Sequence, residues 1–378
     1  MSIGELQITI IGAGHGGKTM AADLAARGYP VRLYNRTYEH VAAIALRGGI
    51  EITLEDGDQL FGAIPLVTSD LAQALEGVPL IMVIVPASGH RDVAQAAAPH
   101  LQDGQILVLN PGRTGGALEF RHSLREAGCT AKVIVAEAET FLFASRSIGP
   151  AQAQLFRRKN TVPLAALPAS ATPMVLDLLH EVYPQFIAAP NVLHTSLNNM
   201  GAVFHPALTL LNAGWIEATG GDFEFYVDGV TPSTAHMLER LDRERVTIAA
   251  ALGVRAQSAI EWLARAYSAQ GNNLYDAMHD NPGYKGIKAP RTLHHRYIFE
   301  DVPFSLVPMA EFGKRFGVEV WGIEAMIQLA CVLHGTDYRH RGRTLERMGL
   351  VGYSLSEITR LVETGRADPV PMEADDRP

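Results

Sequence analysis

A glycine-rich segment near the start of the chain constrains its fold more than any other feature of the sequence. The segment runs Gly12-Ala-Gly14-His15-Gly16-Gly17, directly after a short apolar run and at the beginning of a helical pattern. This spacing allows a tight turn, a close approach of an anion to the backbone, and close packing of a helix on a strand. The segment therefore predicts a dinucleotide-binding loop at the amino-terminal end of the first helix.

The remainder of the first half alternates β-branched runs with helical segments, which is typical of parallel strands joined by crossover helices. The predicted strands are residues 7–11, 31–34, 80–85, 106–109 and 132–135. Four of them are almost wholly apolar, as expected of strands that are buried on both faces. We therefore expect an α/β fold whose N-terminal part, residues 1–188, is a doubly wound Rossmann domain.

Long amphipathic segments replace the β-branched runs after about residue 185. Residues 233–252 place apolar side chains on one face of a helix, pair opposite charges four residues apart, and end at Gly253. A second such segment, residues 320–331, ends near Gly335. These patterns predict a C-terminal all-helical domain over residues 189–367, followed by a disordered tail at residues 368–378.

Composition excludes several classes of partner. The chain of 378 residues has 32 Lys and Arg against 40 Asp and Glu, and no basic run that could neutralise nucleic-acid phosphates. Two cysteines are too few for a disulfide framework and fit a reducing compartment. The first residues lack the features of a signal peptide, and the longest apolar stretch, residues 78–87, is too short to cross a bilayer. We expect a cytoplasmic protein that binds neither nucleic acid nor membrane.

The end of the second predicted strand bears on the choice between NAD and NADP. An NAD-specific domain usually places an acid there, about 20 residues after the glycines, for the ribose 2′-hydroxyl. This chain has Asn35-Arg36-Thr37 instead. Because an arginine beside a small hydrogen-bonding side chain suits a 2′-phosphate, we expect NADP(H) to be favoured over NAD(H). The alternative leaves Arg36 exposed and gives the ribose to Glu39.

Two further loops follow predicted strands at their carboxyl ends, where the ligands of parallel sheets collect. The first contains Val85, Pro86 and Ala87, and the second is residues 110–116. Both are expected to line the cofactor cleft. For the second loop, a simple turn rich in glycine and proline is the alternative.

Hydride transfer to a carbonyl or an imine needs a proton donor and a cation for the substrate carboxylate, because the cofactor supplies neither. His205 follows a polar segment at the predicted domain junction, which directs it towards an interdomain cleft; a core histidine is the alternative. In a nearby charged segment, Arg296 could hold a carboxylate and Asp301 could fix the tautomer of an imidazole. A structural cluster of ion pairs would explain these two residues equally well. No spacing of His, Cys or acidic residues predicts a metal site.

At these residues the chain resembles the opine dehydrogenases, the family that includes octopine and nopaline dehydrogenases and a bacterial carboxyethyl-norvaline dehydrogenase. The resemblance extends from about residue 6 to residue 365. Besides the glycine segment, it is carried by an ordered series of motifs at residues 110–120, 194–206, 229–232, 284–290, 296–301 and 342–345. The family fold is a nucleotide domain followed by an all-helical domain, which agrees with the patterns above.

The resemblance implies that the chain joins the amino group of an amino acid to the carbonyl group of a 2-oxo acid such as pyruvate, and reduces the resulting imine with NAD(P)H. It assigns proton exchange to His205 and orientation of the imidazole to Asp301. It assigns the carboxylate of the oxo acid to Arg296. Family habit also implies a homodimer.

The resemblance extends, with less specific motifs, to the substrate pocket. Glu139 matches an acid that lies near the substrate in the family, and Asn199 and Tyr226 lie in motifs expected at the pocket. The chain departs from its NAD-using bacterial relative at Asn35 and Arg36, where that enzyme has an acid. The resemblance and the local chemistry therefore disagree on the cofactor, and we follow the chemistry.

Two rival functions remain. An enzyme of the ketopantoate reductase or 3-hydroxyacid dehydrogenase type would reduce a carbonyl group without an amine, usually with a lysine as proton donor. Lys285 and Lys288 are the only lysines near a candidate site. A catalytically idle sensor would bind the dinucleotide but lack an ordered proton donor. The presence of His205, Arg296 and Asp301 favours the opine dehydrogenase reading.

Overall fold

The computed structural model describes residues 6–366, so the predicted tail at residues 368–378 lies outside the described part. The strands are β1 Ile8–Ile11, β2 Val31–Tyr34, β3 Gly49–Thr53, β4 Gln59–Ala63, β5 Leu66–Thr68, β6 Leu80–Val83, β7 Ile106–Leu109, β8 Ile134–Ala138, β9 Phe143–Gly149, β10 Gln152–Arg158, β11 Val162–Leu167 and β12 Phe186–Ala188. The α-helices are α1 His15–Ala26, α2 Ala42–Arg47, α3 Leu71–Leu75, α4 His90–Ala97, α5 Gly116–Glu126, α6 Thr172–Val182, α7 Val192–Leu197, α8 Met200–Leu211, α9 Ala213–Thr219, α10 Pro232–Ala251, α11 Ala259–Tyr267, α12 Leu274–Asp280, α13 Arg296–Phe299, α14 Val307–Arg315, α15 Trp321–His334, α16 Tyr338–Arg341 and α17 Leu355–Thr364.

Eight strands form the larger sheet in the order β12-β11-β8-β7-β6-β1-β2-β5. All neighbours in it are parallel except β8 and β11. The chain first builds outwards from β1 through β2 and then returns to the other side of β1 with β6. The loops after β1 and β6 therefore meet at the point where the strand order reverses, which is where such sheets bind their ligands. The predicted doubly wound domain is confirmed.

The fifth predicted strand is shifted. Strand β8 begins at Ile134 rather than at residue 132, because the backbone of Lys132 is tied to Asp103 and Gly104 in a turn. The strand also continues through the buried Glu137, although a charged residue usually marks the end of a buried strand. Here the hydroxyls of two residues on α7, Thr195 and Ser196, donate hydrogen bonds to the Glu137 carboxylate and offset its burial.

A second sheet, with the order β4-β3-β10-β9, was not predicted from the sequence. Its strands pack against α1 on the side away from the larger sheet, so α1 is enclosed between two sheets. Met20, Ala22 and Leu24 of α1 are fully buried as a result. Strands β9 and β10 alternate buried and exposed residues, so they lack the continuous apolar run that identified the other strands.

The second half is helical, as predicted. Apart from one isolated bridge, residues 189–366 contain no strand. The predicted apolar stripe of α10 is buried, and Arg240 pairs with Glu244 at 2.7 Å. The Glu239 carboxylate accepts a hydrogen bond from the backbone of Leu274 instead of pairing with an arginine. None of the helices within residues 6–366 combines the length and the apolar character needed to cross a membrane.

Candidate active site

The glycine loop joins β1 to α1, and two of its glycines are required by their geometry. Gly12 has a φ of +105°, and a Cβ atom there would lie 2.3 Å from the carbonyl oxygen of Ile84. A Cβ atom on Gly17 would lie 1.8 Å from the carbonyl oxygen of Gly12, so only glycine lets the helix pack on the loop. Around Gly14, at the N-cap of α1, a Cβ atom would meet no other atom within 4 Å. The N-terminus of α1 is therefore accessible to an anion such as a pyrophosphate.

His15 and Gly16 connect this loop to the second sheet. The Nδ1 atom of His15 accepts a hydrogen bond from the backbone nitrogen of Ser147 at 2.9 Å. A Cβ atom on Gly16 would lie 2.7 Å from the ring of Phe141, so the loop packs closely against that ring. We conclude that these two residues position the loop between the sheets.

A cavity of about 360 Å³ opens at the carboxyl ends of β2 and β6. It is lined by most of the residues that were predicted for the cofactor: Gly12, Asn35, Arg36, Thr37, Val85 and Pro86. Asn35 is held in place, since its Oδ1 atom accepts from the backbone of Ala13 and its Nδ2 atom donates to the carbonyl oxygen of Thr37. The exposed Arg36 lies 3.6 Å from Asp92 of α4. The loop and the cavity together fit a dinucleotide, because both an anion site and a pocket for its nucleoside are present.

Ala87 does not line this cavity. Its backbone nitrogen donates a hydrogen bond to Oε1 of Glu300 at 3.3 Å, and its side chain is buried. This contact ties the loop after β6 to the helical half of the molecule.

A second cavity, of about 700 Å³, lies between the two halves. It brings together five of the six residues that were predicted to bind or transform the substrate: Glu139, Asn199, His205, Tyr226 and Arg296. The sixth, Asp301, is fully buried beside His205. Other charged or polar residues at its wall are Arg113, Arg146, Lys159, His295 and Tyr297, and aromatic residues are Phe204, Trp262, Tyr267 and Tyr284. A cavity lined by aromatic side chains together with several charged and polar groups is typical of a small-molecule site.

His205 lies in α8 and is held on two sides. Its Nδ1 atom is 2.9 Å from Oδ2 of the fully buried Asp301. Its ring stacks on Tyr297, with ring centroids 4.0 Å apart. One turn earlier, a Cβ atom on Gly201 would lie 3.1 Å from the imidazole, so the absence of a side chain there gives the ring its space. Because Asp301 engages Nδ1, the Nε2 atom is left for proton exchange with a substrate.

The charge of Asp301 is set by its neighbours. Burial would raise the pKa of this carboxyl group, but the guanidinium of Arg113 and the hydrogen bond from His205 outweigh burial and hold the pKa below its usual value. The Nη1 atom of Arg113 lies 3.1 Å from Oδ1 of Asp301. From the sequence, the loop of Arg113 was expected at the cofactor cleft, and this contact with Asp301 was not predicted.

Arg296 lies at the edge of the cavity and is about half exposed. Its Nε and Nη2 atoms are 2.9 Å and 2.8 Å from Oε2 of the buried Glu300. This pairing orients the guanidinium and leaves Nη1 for another acceptor. The geometry is compatible with a carboxylate-binding role at the mouth of the cavity.

Glu139 and Lys159 face the cavity from the nucleotide half. Burial raises the pKa of Glu139 to about 7, against the opposing charges of Arg265 and Lys159. Burial also lowers the pKa of Lys159 to about 8, and its ammonium donates a hydrogen bond to the Thr140 hydroxyl at 2.7 Å. Both groups can therefore exchange protons close to neutral pH. Lys159 follows β10 in the unpredicted second sheet, which is why the sequence did not indicate it.

Asn199 and Tyr226 contact protein groups at the cavity wall. The Nδ2 atom of Asn199 donates to the hydroxyl of Ser305, in a π-helical turn at Val302–Leu306. Tyr226 is hydrogen-bonded to Tyr297, and burial raises its pKa well above the usual range. These contacts fix the shape of the wall on which His205 rests.

The two lysines considered as proton donors for a carbonyl reductase do not lie at the cavity between the halves. Lys285 is exposed, and Lys288 pairs with the exposed Asp222 at 2.8 Å. Neither lines the cavity between the halves, whereas Lys159 does. Within residues 6–366, no three His, Cys, Asp or Glu side chains come together as a metal site.

Comparison with known proteins gives consistent matches for both halves. Residues 188–334 match the family model of the alpha-helical domain of NAD/NADP octopine/nopaline dehydrogenase. Residues 7–111 match the model of the N-terminus of NAD-dependent glycerol-3-phosphate dehydrogenase. The opine dehydrogenase of Arthrobacter sp. (strain 1C) is 39% identical to this chain, over 94% of it and 98% of that protein.

Solved structures share the architecture. Octopine dehydrogenase with NADH and L-arginine aligns over 97% of this chain and 100% of that chain, with a TM-score of 0.80 and 21% identity. Yersinopine dehydrogenase with NADP⁺ aligns over 95% of this chain and 98% of that chain, with a TM-score of 0.73 and 17% identity. At these identities the structures show the fold. The Arthrobacter relative, which matches almost the whole chain, shows more: the protein is an oxidoreductase that uses a nicotinamide dinucleotide, and it belongs to the opine dehydrogenase family.

Proposed function

We propose that the protein catalyses the NAD(P)H-dependent reductive condensation of an amino acid with a 2-oxo acid such as pyruvate. The observation that carries this proposal is the His205–Asp301 pair in a cavity lined by both halves of a chain that is 39% identical to an opine dehydrogenase. Octopine dehydrogenase has been solved with L-arginine and with pyruvate, which supports the two classes of substrate.

His205 is the proton-transfer group in this proposal. The amino group of one substrate attacks the carbonyl carbon of the other, and a C–N bond forms. His205 donates a proton from Nε2 to the carbonyl oxygen, which becomes a hydroxyl group. The nitrogen then returns a proton to Nε2, and His205 passes it to the hydroxyl group, which leaves as water when the C–O bond breaks, so that a protonated imine remains. Asp301 holds the Nδ1 hydrogen and stabilises the imidazolium. The bound dinucleotide supplies the hydride that reduces the imine carbon.

Two charged residues hold the substrates. We assign the carboxylate of the oxo acid to Arg296, whose orientation by Glu300 prepares its free Nη1 for that contact. We assign the amino group to Glu139, because a carboxyl group with a pKa of about 7 can bind an ammonium ion or accept its proton. Asn199 and Tyr226 complete the substrate wall.

In this proposal the cofactor is held by the loop from Gly12 to Gly17, by residues 35–37 and by Val85 and Pro86. We propose a preference for NADPH over NADH. Asn35 ends β2 where an NAD-specific enzyme usually has an acid, and the exposed Arg36 can reach a 2′-phosphate. Asp92 lies beside Arg36 and opposes this preference, so the preference should be moderate.

We also propose the division of the chain into a nucleotide domain, residues 1–188, and a catalytic helical domain, residues 189–367. The last strand of the larger sheet ends at Ala188, which supports the boundary. A homodimer in the cytoplasm is the proposed state, supported by family habit and by two free cysteines. Light scattering after gel filtration tests the dimer, and cell fractionation tests the location.

The decisive experiment is a spectrophotometric screen of NADPH and NADH oxidation with pyruvate and each amino acid in turn. Oxidation should require both substrates, and mass spectrometry should detect a product that joins them through nitrogen. Equal oxidation with pyruvate alone would instead identify a carbonyl reductase of the ketopantoate reductase type. Cofactor binding without any oxidation across a broad panel of oxo acids would identify an idle sensor.

A further inference from the structure

One arginine of the cavity has no assigned role in the reaction. Arg113 lies in the loop after β7, and its side chain is almost completely buried at the cavity wall. Its φ is +61°, a left-handed conformation that is uncommon for a residue other than glycine. Such backbone strain persists only where the surroundings impose it, and it occurs often at functional sites.

The guanidinium of Arg113 faces two buried carboxylates. Its Nη1 atom lies 3.1 Å from Oδ1 of Asp301, and its Nε atom lies 3.5 Å from Oε1 of Glu300. In Asp301, Oδ2 is engaged by His205, while Oδ1 has no hydrogen-bond partner within residues 6–366. The charge of Arg113 is therefore the nearest compensation for that oxygen.

A second arginine, from the other half of the molecule, holds the loop in this conformation. Arg343 is fully buried, and its Nη1 atom donates to the carbonyl oxygens of Gly112 and Thr114, which flank Arg113. Its Nε atom is 2.6 Å from Oε2 of Glu119 in α5. The carbonyl groups on both sides of Arg113 are thus fixed, which directs its side chain towards Asp301.

We propose that Arg113 is a positioning residue that keeps Asp301 ionised, so that the Asp301 carboxylate can accept the Nδ1 hydrogen of His205. The inference rests on the proposed function of His205. A fully buried carboxyl group without a cation beside it takes up a proton and becomes neutral. A neutral Asp301 would instead donate its O–H group to Nδ1 and hold His205 in the tautomer that carries its hydrogen on Nε2. Nε2 could then not take up a proton, and the imidazolium would lose its acceptor at Nδ1.

The other groups around Asp301 do not replace this charge. The charged or titratable side chains that face it or its pair with His205 are Arg113, His205, Tyr226, His295, Arg296, Tyr297 and Glu300. Among the permanent cations, Arg296 is held by Glu300, while Arg113 makes the closer contact with Asp301. Removal of Arg113 therefore leaves the His205–Asp301 pair with an excess of negative charge.

The test compares Arg113→Gln with Arg91→Gln, which removes the same charge from an exposed pair with Glu126 outside the cavity. In Arg113→Gln the acid limb of the pH profile of kcat should move up by about 1 pH unit, because Asp301 then takes up a proton more readily. At pH values on that limb, kcat should fall about tenfold while the KM for the oxo acid changes less than about threefold. Arg91→Gln should leave the limb in place, and Arg113→Lys, which keeps the charge, should move it less than Arg113→Gln does.

Two kinetic outcomes would overturn the inference. An unmoved acid limb in a folded Arg113→Gln protein would show that Asp301 needs no cation. A rise of about tenfold or more in the KM for the oxo acid, with an unmoved limb, would make Arg113 a substrate-binding residue instead.

Infrared difference spectra of the wild type against Asp301→Asn provide a test that needs no turnover and no Arg113 variant. At about pH 6 the bands of an ionised carboxylate should be assigned to Asp301, and a protonated-carboxyl band in their place would overturn the inference. Failure of the proposed function would remove imine reduction from the wild type as well. Failure of this inference alone would leave wild-type turnover intact.

Discussion

The cleft contains two arginine–aspartate pairs that differ in burial. One lies at the cavity proposed for the cofactor ribose, here called the ribose end, and the other lies beside His205, here called the catalytic end. At the ribose end, Arg36 and Asp92 lie 3.6 Å apart with 82% and 66% of their side chains exposed. At the catalytic end, Arg113 and Asp301 lie 3.1 Å apart with 10% and 0% exposed. Water and salt weaken the first pair, whereas breaking the second leaves an uncompensated buried charge. Substitutions at the exposed pair should therefore change the proposed cofactor preference gradually, whereas the buried pair should tolerate little change of charge.

The largest expected effect comes from the catalytic end. His205→Ala should lower kcat for imine reduction by a factor of about 10² to 10⁴ or more, because it removes the proton donor. Binding of NADPH should be unchanged, since His205 belongs to the helical half and the glycine loop to the other. Steady-state kinetics and fluorescence titration of NADPH measure the two effects. Retention of more than about a tenth of the turnover would return His205 to the role of a core histidine.

Asp301→Asn should be almost as damaging as the loss of the imidazole. The amide can present its NH₂ group to Nδ1 and trap the wrong tautomer of His205, so we expect a loss of kcat of about 10² to 10⁴. The fold should survive, because Asn has the size of Asp and the carboxylate of Glu300 still faces Arg113. Circular dichroism and kcat should be measured on the same preparation. An active Asp301→Asn enzyme would show that the buried pair is only structural.

Arg296→Lys tests the mouth of the cavity, where burial is intermediate. Lysine keeps the charge but loses the planar fork that Glu300 orients, so the KM for the oxo acid should rise about tenfold with a smaller change in kcat. The KM for the amino acid serves as the internal control. A loss confined to kcat would place Arg296 at the reacting atoms rather than at the carboxylate.

At the ribose end, two substitutions should act in opposite directions. Arg36→Ala should reduce the preference for NADPH over NADH about tenfold, since one exposed charge-assisted contact is lost. Asp92→Asn should increase the preference a few-fold, because it removes a negative charge near the 2′-phosphate. Both effects should shrink in high salt. Equal affinities for the two cofactors in the wild type would contradict the NADPH proposal.

The last expected effect is on the stability of the fold rather than on turnover or cofactor choice. Burial raises the pKa of Glu139 in the folded protein from 4.5 to about 7. The stability that the protonated carboxyl group contributes to the fold is therefore fully present below about pH 4.5 and is lost as the pH rises through 7. Glu139→Gln should therefore raise the free energy of unfolding more at pH 7.5 than at pH 5, and the difference between the two effects should be about 1 to 3 kcal/mol. Thermal unfolding at the two pH values measures this difference. The same gain at both pH values would mean that ionisation of Glu139 carries no cost.

The sequence predicted the fold well where the signals are local. The glycine loop and the apolar strands identified the nucleotide half, because each depends on a few neighbouring residues. The second sheet was missed because β9 and β10 are half-exposed strands, and β10 pairs with β3, which lies about a hundred residues earlier. Lys159 was missed for the same reason, because it follows β10 and reaches the cavity only when this second sheet forms.

In the candidate site, too, residues within recognisable motifs were predicted, and a residue positioned by distant parts of the chain was not. The pairing of His205 with Asp301 followed from family motifs that lie 96 residues apart. Arg113 could not be placed, since the direction of its side chain depends on a left-handed backbone conformation and on Arg343, which lies 229 residues beyond the carbonyl group of Thr114 that it holds. Local chemistry predicted that this loop lines the cofactor cleft, whereas the structure places the side chain of Arg113 at the second cavity, beside Asp301.

The polar contacts between the halves have a consequence for attempts to exchange substrate specificity by recombining parts of the family. The nucleotide half buries Glu137 and Glu119, whose side-chain partners come from the helical half: Thr195, Ser196, Arg343 and Arg347. A chimaera that joined this nucleotide half to a foreign helical half would leave Glu119 without its two arginines and Glu137 with only the backbone donor of Ala117, unless the incoming half supplies the same four side chains. The two halves are therefore not interchangeable. A chimaera that folds has to keep these contacts between the halves as well as the residues that line the substrate cavity.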